Sequence, residues 1–98
     1  MGDELVRTPL GELHLLDDGA VLAGRELSLT PSSLAVLRLL ASAGGKVVSR
    51  DRILTVLPGS STDAHAADVA VSRLRDALGQ PTLVQTVIKR GYRLVLAG

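Results

Sequence analysis

Residues 65–78 read His-Ala-Ala-Asp-Val-Ala-Val-Ser-Arg-Leu-Arg-Asp-Ala-Leu and are followed by Gly79-Gln80-Pro81. At 100° per residue Ala67, Val71, Leu74 and Leu78 fall on one stripe, the apolar side of a helix laid on a core. The opposite side carries His65, Ala66, Val69, Ser72, Arg73 and Asp76, with Arg75 on the flank. A solvated helix usually fills such a face with Glu and Lys. Small residues, one Val and two Arg instead let a helix sink into a groove. The same face also fits a solvated surface with one scattered hydrophobe. The spacing predicts a helix over 66–78, buried through its stripe, with Val69 and Arg73 exposed on the side where Lys89 and Arg90 lie.

Outward from this segment, the chain resolves into short elements. Thr30-Pro31 is a helix start, the hydroxyl as N-cap and Pro where its missing N–H costs nothing. Leu34, Leu37, Leu40 and Ala41 then recur at helical spacing until Gly44-Gly45. Lys46-Val47-Val48 is extended, and Ser49 caps a second helix from Arg50 to Leu57 with Ile53, Leu54 and Leu57 inward, stopped by Pro58-Gly59. Ser60 to Ala64 is a polar connection. Upstream of Leu29 the pattern is β-like: Gly11 to Leu16, Ala20 to Ala23, and Arg25 to Leu29 with Leu27 and Leu29 inward. Downstream, Val84 to Val95 forms two arms around Lys89-Arg90-Gly91, with Gly91 in the left-handed position of the loop. The order is an antiparallel sheet (1–29), three helices (30–78) and a hairpin wing (82–97), an α+β fold in one domain over 1–98.

The 98 residues suffice for one core. Phe and Trp are absent and Tyr92 is the one aromatic, so the core is aliphatic, and Tyr92 reads first as a core plug whose hydroxyl is bonded and second as a base-stacking platform. Without Cys there is neither a disulfide framework nor a thiolate zinc site, which suits a reducing cytoplasm. No apolar run reaches the roughly 18 residues of a membrane span. Residues 1–29 hold two basic against six acidic side chains, and residues 30–98 hold nine against four, so the positive face belongs to the C-terminal part.

Catalysis finds no support. Ser60, Asp63 and His65 are near in sequence, but a triad needs an oxyanion hole and a pocket. Gly44-Gly45-Lys46 lacks phosphate-loop spacing, and His14 and His65 are too far apart for a metal site. No cofactor is expected. A groove-binding helix with arginines points instead to DNA. The major groove is about 12 Å wide and admits one helix, in which Arg73 can pair with guanine, Val69 can meet a thymine methyl and Ser72 can bond a base edge or phosphate. Lys89, Arg90 and Arg93 in the wing, Arg75 on the flank of the third helix, and Arg50 and Arg52 at the second helix, are candidate backbone contacts. Arg93 also fits pairing with a carboxylate, and Arg50 and Arg52 a solvated face.

Gly24-Arg-Glu-Leu-Ser-Leu-Thr-Pro, Gly45-Lys-Val-Val-Ser-Arg, Asp68-Val-Ala-Val-Ser-Arg-Leu-Arg-Asp-Ala-Leu-Gly and Thr86-Val-Ile-Lys-Arg-Gly-Tyr-Arg-Leu resemble the OmpR/PhoB-type winged helix-turn-helix output domain of bacterial response regulators. The resemblance implies a four-stranded N-terminal sheet, a third helix in the major groove and a wing on the minor groove. Arg73 and Arg75 match the family's paired helix arginines, and Gly91-Tyr92-Arg93 the wing's return. Ile88 stands where the wing arginine is expected, with Lys89 and Arg90 moved to the tip. The implied partners are double-stranded DNA, RNA polymerase and an attached N-terminal domain, in a cytoplasmic regulator that is monomeric alone and pairs on direct repeats.

A narrower resemblance joins Leu57-Pro-Gly-Ser-Ser-Thr-Asp-Ala-His-Ala and the wing to the winged-helix module of actinobacterial uroporphyrinogen-III synthase-like proteins. It implies the alternative, a regulatory or protein-interaction module with weak or no DNA binding, on a parent whose enzymatic activity is not in these residues. Either way the chain reads as a fragment of a larger protein.

Overall fold

Leu13 and Leu15 alternate with Glu12 and His14, and across the turn Ala20 and Leu22 do the same, so one face of a sheet is apolar and buried. The computed structural model, which describes residues 4–58 and 63–97, pairs these strands as Leu13↔Leu22 and Leu15↔Ala20. Four antiparallel strands follow in order: β1 (Glu4–Thr8), β2 (Gly11–Leu15), β3 (Ala20–Leu22) and β4 (Arg25–Glu26). β1 has no clear alternation of its own and is held by full-length pairing to β2, from Glu4↔Leu15 to Thr8↔Gly11. β4 is only two residues long, where the sequence pattern ran to Leu29; Leu27 is buried and Leu29 half-buried beyond its end.

The first helix, α1 (Pro31–Ser42), starts as its sequence dictates, with the Thr30 hydroxyl accepting from the Ser33 N–H at 3.1 Å and Pro31 in the first turn. It buries Leu34, Leu37, Leu40 and Ala41, together with Val36 and Ser33. α2 (Arg50–Leu54) is shorter than its apolar spacing predicts. Past Leu54 the N–H groups of Thr55, Val56 and Leu57 bond three residues back at 3.1–3.2 Å, so the helix tightens into turns. Its inward stripe thins to Ile53, with Leu54 and Leu57 half-buried. Gly59 to Thr62, which include the glycine of the anticipated Pro58-Gly59 stop, Ser60 and most of the polar connection, lie outside the described residues.

α3 (Ala64–Leu78) buries Ala67, Val71, Leu74 and Leu78, the four predicted positions. Asp63 caps it by accepting from the His65 N–H at 2.9 Å, and Gly79 ends it in the left-handed conformation. A short 3-10 turn at Pro81–Leu83 leads into the hairpin of β5 (Val84–Val87) and β6 (Gly91–Leu94). The tail closes the chain on itself, because the Ala97 N–H donates to the Arg7 carbonyl on the edge of β1 at 3.0 Å.

The wing loop holds two residues at positive φ, Gly91 at 139°, as expected, and Lys89 at 66°, which residue preference does not announce. Gly91 is required for another reason. A Cβ there would lie 2.0 Å from the Val48 carbonyl oxygen, because β6 runs against Val48, which exchanges two backbone hydrogen bonds with Tyr92 at 2.7 and 2.9 Å. Gly91→Ala must break that bridge and is expected to cost about 3 kcal/mol or more, combining backbone strain with lost hydrogen bonds. Gly79→Ala, which meets only a left-handed φ of 73° and a flexible arginine, should cost about 1–2 kcal/mol. Urea unfolding of both variants checks this, and equal destabilisation would contradict it.

Candidate nucleic-acid interface

α3 presents two surfaces besides its buried stripe. His65, Ser72, Arg73 and Asp76 are exposed, and Arg73 has no hydrogen bond or ion pair among the described residues. Val69 is not fully exposed as its helical angle suggests. It is half-buried with Ala66 and Ala70 in a groove of about 400 Å³ whose walls include Thr30, Ser33 and Leu57. α3 packs on both α1 and α2, and the start of α1 and Leu57 wall the groove that shades Val69, while Arg73, which lines the same groove, remains exposed.

A polar cluster fastens α3 to the rest of the head. The Asp68 carboxylate accepts from Arg50 Nε at 2.7 Å and from the Tyr92 hydroxyl. The guanidinium groups of Arg50 and Arg75 both lie over the Tyr92 ring, 5.6 and 5.5 Å from its centre. Arg75 also donates from Nε and Nη2 to the Val84 carbonyl, at 3.1 and 2.8 Å, and from Nη2 to the Thr86 hydroxyl at 2.7 Å. One aromatic side chain thereby joins α2, α3 and the wing. Tyr92 is buried with its hydroxyl bonded, as the composition predicts.

Charge follows from this geometry. The hydrogen bond from Arg50, then that from Tyr92, holds the Asp68 carboxyl below the usual carboxylate range. Burial, then donation to Asp68, pushes the Tyr92 hydroxyl up. The Asp68 hydrogen bond likewise raises Arg50.

The cations suggested by the sequence divide into two sets. Arg50, Arg75 and Arg93 have intramolecular partners, Arg93 donating from Nε to the Gly45 carbonyl at 2.9 Å and from Nη1 to Gln85. Arg52, Arg73, Lys89 and Arg90 are exposed, and no side-chain partner is found for them among the described residues. Sequence reasoning missed Asp68, whose partners are 18 and 24 residues away, and the cap Asp63. The Asp63 signal was available, since an Asp directly before a helix is a cap. Among the described residues no cluster of side chains could hold a metal, and no helix is long and apolar enough to cross a membrane.

Four strands, three helices with the third packed on the other two, and a hairpin tipped with cations define a winged helix-turn-helix. The chain belongs to the family described as "Transcriptional regulatory protein, C terminal", whose model matches residues 24–94. This is a family of transcriptional regulators rather than enzymes. The chain is 39% identical over 88 residues to the transcriptional regulatory protein CseB of Streptomyces coelicolor, covering 86% of this chain and 37% of that protein. It is 38% identical over 98 residues to RstA of Escherichia coli, covering 87% of this chain and 41% of that protein. The chain thus spans about two fifths of the length of these curated relatives.

The DNA-binding domain of Escherichia coli CpxR superimposes with a TM-score of 0.77 at 31% identity, over 97% of this chain and 99% of that one. The Klebsiella pneumoniae RstA DNA-binding domain, solved in complex with the RstA box, gives 0.76 at 27% identity over 94% and 97% of the two chains.

The depressed Asp68 carboxyl makes a pH prediction. Its folded pKa lies below that of an unfolded Asp, about 3.9. The stabilisation is therefore present above that pH and lost as pH falls through the folded value. Asp68→Asn removes this dependence. Unfolding free energies of parent and variant should differ most near neutral pH and converge below about pH 4. A gap that stays constant through the acid range would contradict the Arg50–Asp68–Tyr92 assignment.

Proposed function

We propose that the chain binds double-stranded DNA sequence-specifically for transcription regulation, with α3 in the major groove and the wing tip on the minor groove or backbone. The observation that carries this is the open side of α3, where Arg73 stands exposed and uncommitted on a helix braced to a wing bearing Lys89 and Arg90. An α-helix with side chains is about 10–12 Å across and fits the roughly 12 Å major groove. Arg73 is the guanine reader, with two parallel hydrogen bonds to O6 and N7. Ser72 bonds a base edge or phosphate, and the outer edge of Val69 meets a thymine methyl. Arg52, Lys89 and Arg90 neutralise phosphates. Arg50 joins them through its Nη groups while Nε holds Asp68, and Arg75 and Arg93 act chiefly as braces.

The relatives named above are transcriptional regulators, which favours an output domain over a module attached to a uroporphyrinogen-III synthase-like protein. Their greater length supports an attached N-terminal domain, in our reading a receiver that places DNA binding under phosphorylation control in the cytoplasm. RNA polymerase is the downstream partner. One helix and one wing read a short half-site, so the domain is a monomer alone and pairs on repeats about 10–10.5 base pairs apart.

Reading and positioning separate experimentally. Arg73→Ala should cost roughly 1–3 kcal/mol on the preferred duplex and much less on scrambled DNA. Replacing Lys89 and Arg90 by Ala should weaken every duplex alike and lower the salt slope by about 0.9 per lost contact. Titrations of parent and variants against a selected and a scrambled duplex at several salt concentrations measure both. A parent that binds neither duplex at low salt would overturn the proposal.

A further inference from the structure

Ile88 is the most exposed large hydrophobic side chain among the described residues, at 81% against 57% for Leu5. It opens the wing tip. The Val87↔Gly91 pair closes the hairpin, the Arg90 N–H donates to the Val87 carbonyl at 2.9 Å, and Lys89 turns the chain at φ 66°. A branched aliphatic at this position contributes nothing to the core. The two residues after it, Lys89 and Arg90, are exposed cations with no side-chain partner among the described residues. Behind them the wing is held firmly, with β5 tied to α3 by Arg75 and β6 tied to Val48 through the Tyr92 backbone. The tip is thus a fixed apolar point beside two positive charges.

We infer that Ile88 is a specificity-determining residue that lies on the minor-groove floor at an A·T pair and rejects guanine; this rests on the DNA reading above. Lys89 and Arg90 draw the tip to the groove, whose negative potential is strongest where A·T runs narrow it. An aliphatic side chain offers no hydrogen bond. At A·T the floor carries only the acceptors adenine N3 and thymine O2, which the neighbouring cations can satisfy. At G·C the guanine 2-amino group projects into the same space. Ile88 would strip it of water and supply no acceptor, leaving a covered donor unpaired. Discrimination therefore comes from a group that only the minor groove presents, independent of what Arg73 reads on the other side of the duplex.

The test uses a duplex selected by the chain from a random pool, remade with 2,6-diaminopurine in place of adenine at one position at a time. This adds the minor-groove amino group and leaves the major-groove edge unchanged. The parent is expected to lose roughly tenfold in affinity at one or two adjacent positions. Ile88→Ser, a change at an exposed tip that leaves the core intact, should bind modified and unmodified duplexes equally. If no position responds in the parent, or if Ile88→Ser responds as the parent does, the role of Ile88 is overturned while DNA binding stands. A parent that fails to bind the unmodified duplex at low salt overturns the DNA reading itself, and this inference with it.

Discussion

The reading head depends on the ring of Tyr92. The core is otherwise aliphatic, and small Leu, Val and Ala side chains define a volume without fixing the orientation of one element on another. Tyr92 adds direction. Its backbone pairs with Val48 ahead of α2, its hydroxyl reaches Asp68 on α3, and its face receives the guanidinium groups of Arg50 and Arg75. Each contact has a narrow geometry, and together they set the angle between wing and helix. Gly91 is part of the same constraint, because no side chain fits where β6 meets the Val48 carbonyl.

This constraint explains why the arginines divide as they do. A guanidinium is planar, with donors in a fixed fork and a face that stacks on an aromatic ring, so it can brace two elements at once. Arg75 does this between α3 and β5, and Arg93 between β6 and the Gly45 carbonyl. The exposed charges without a side-chain partner among the described residues, on Arg52, Arg73, Lys89 and Arg90, then stand on a braced frame. Side chains held on such a frame before a ligand arrives lower the ordering cost of any binding they take part in. The chain's cations thus divide into bracing groups and exposed ones, and a net charge of +1 gives no hint of that division.

Much of the architecture could be read from the sequence. The stripe of Ala67, Val71, Leu74 and Leu78, the Thr30-Pro31 start and the β-like stretches from Gly11 to Leu16 and Ala20 to Ala23 are local patterns, legible because neighbouring residues alone produce them. Features set by distant contacts were not legible. β1 is a strand because β2 offers it partners, and Val69 is half-buried because the start of α1 lies beside it. From its own segment Arg50 fits backbone contact or solvent, since nothing there announces Asp68. Left-handed Lys89 runs against residue preference, while Gly91 combines the expected positive φ with a close approach to Val48 that nothing in its own segment announces.

The central claim, that Tyr92 locks the wing to α3, is tested most directly by native-state amide hydrogen exchange on Tyr92→Leu, which keeps apolar volume but removes the hydroxyl and the ring. The account predicts that amides of β5, β6 and Val48 exchange about tenfold or more faster relative to those of Leu37 and Leu40 in α1, a local release of the wing. Acceleration by one common factor across wing and α1, or none at all, would contradict it.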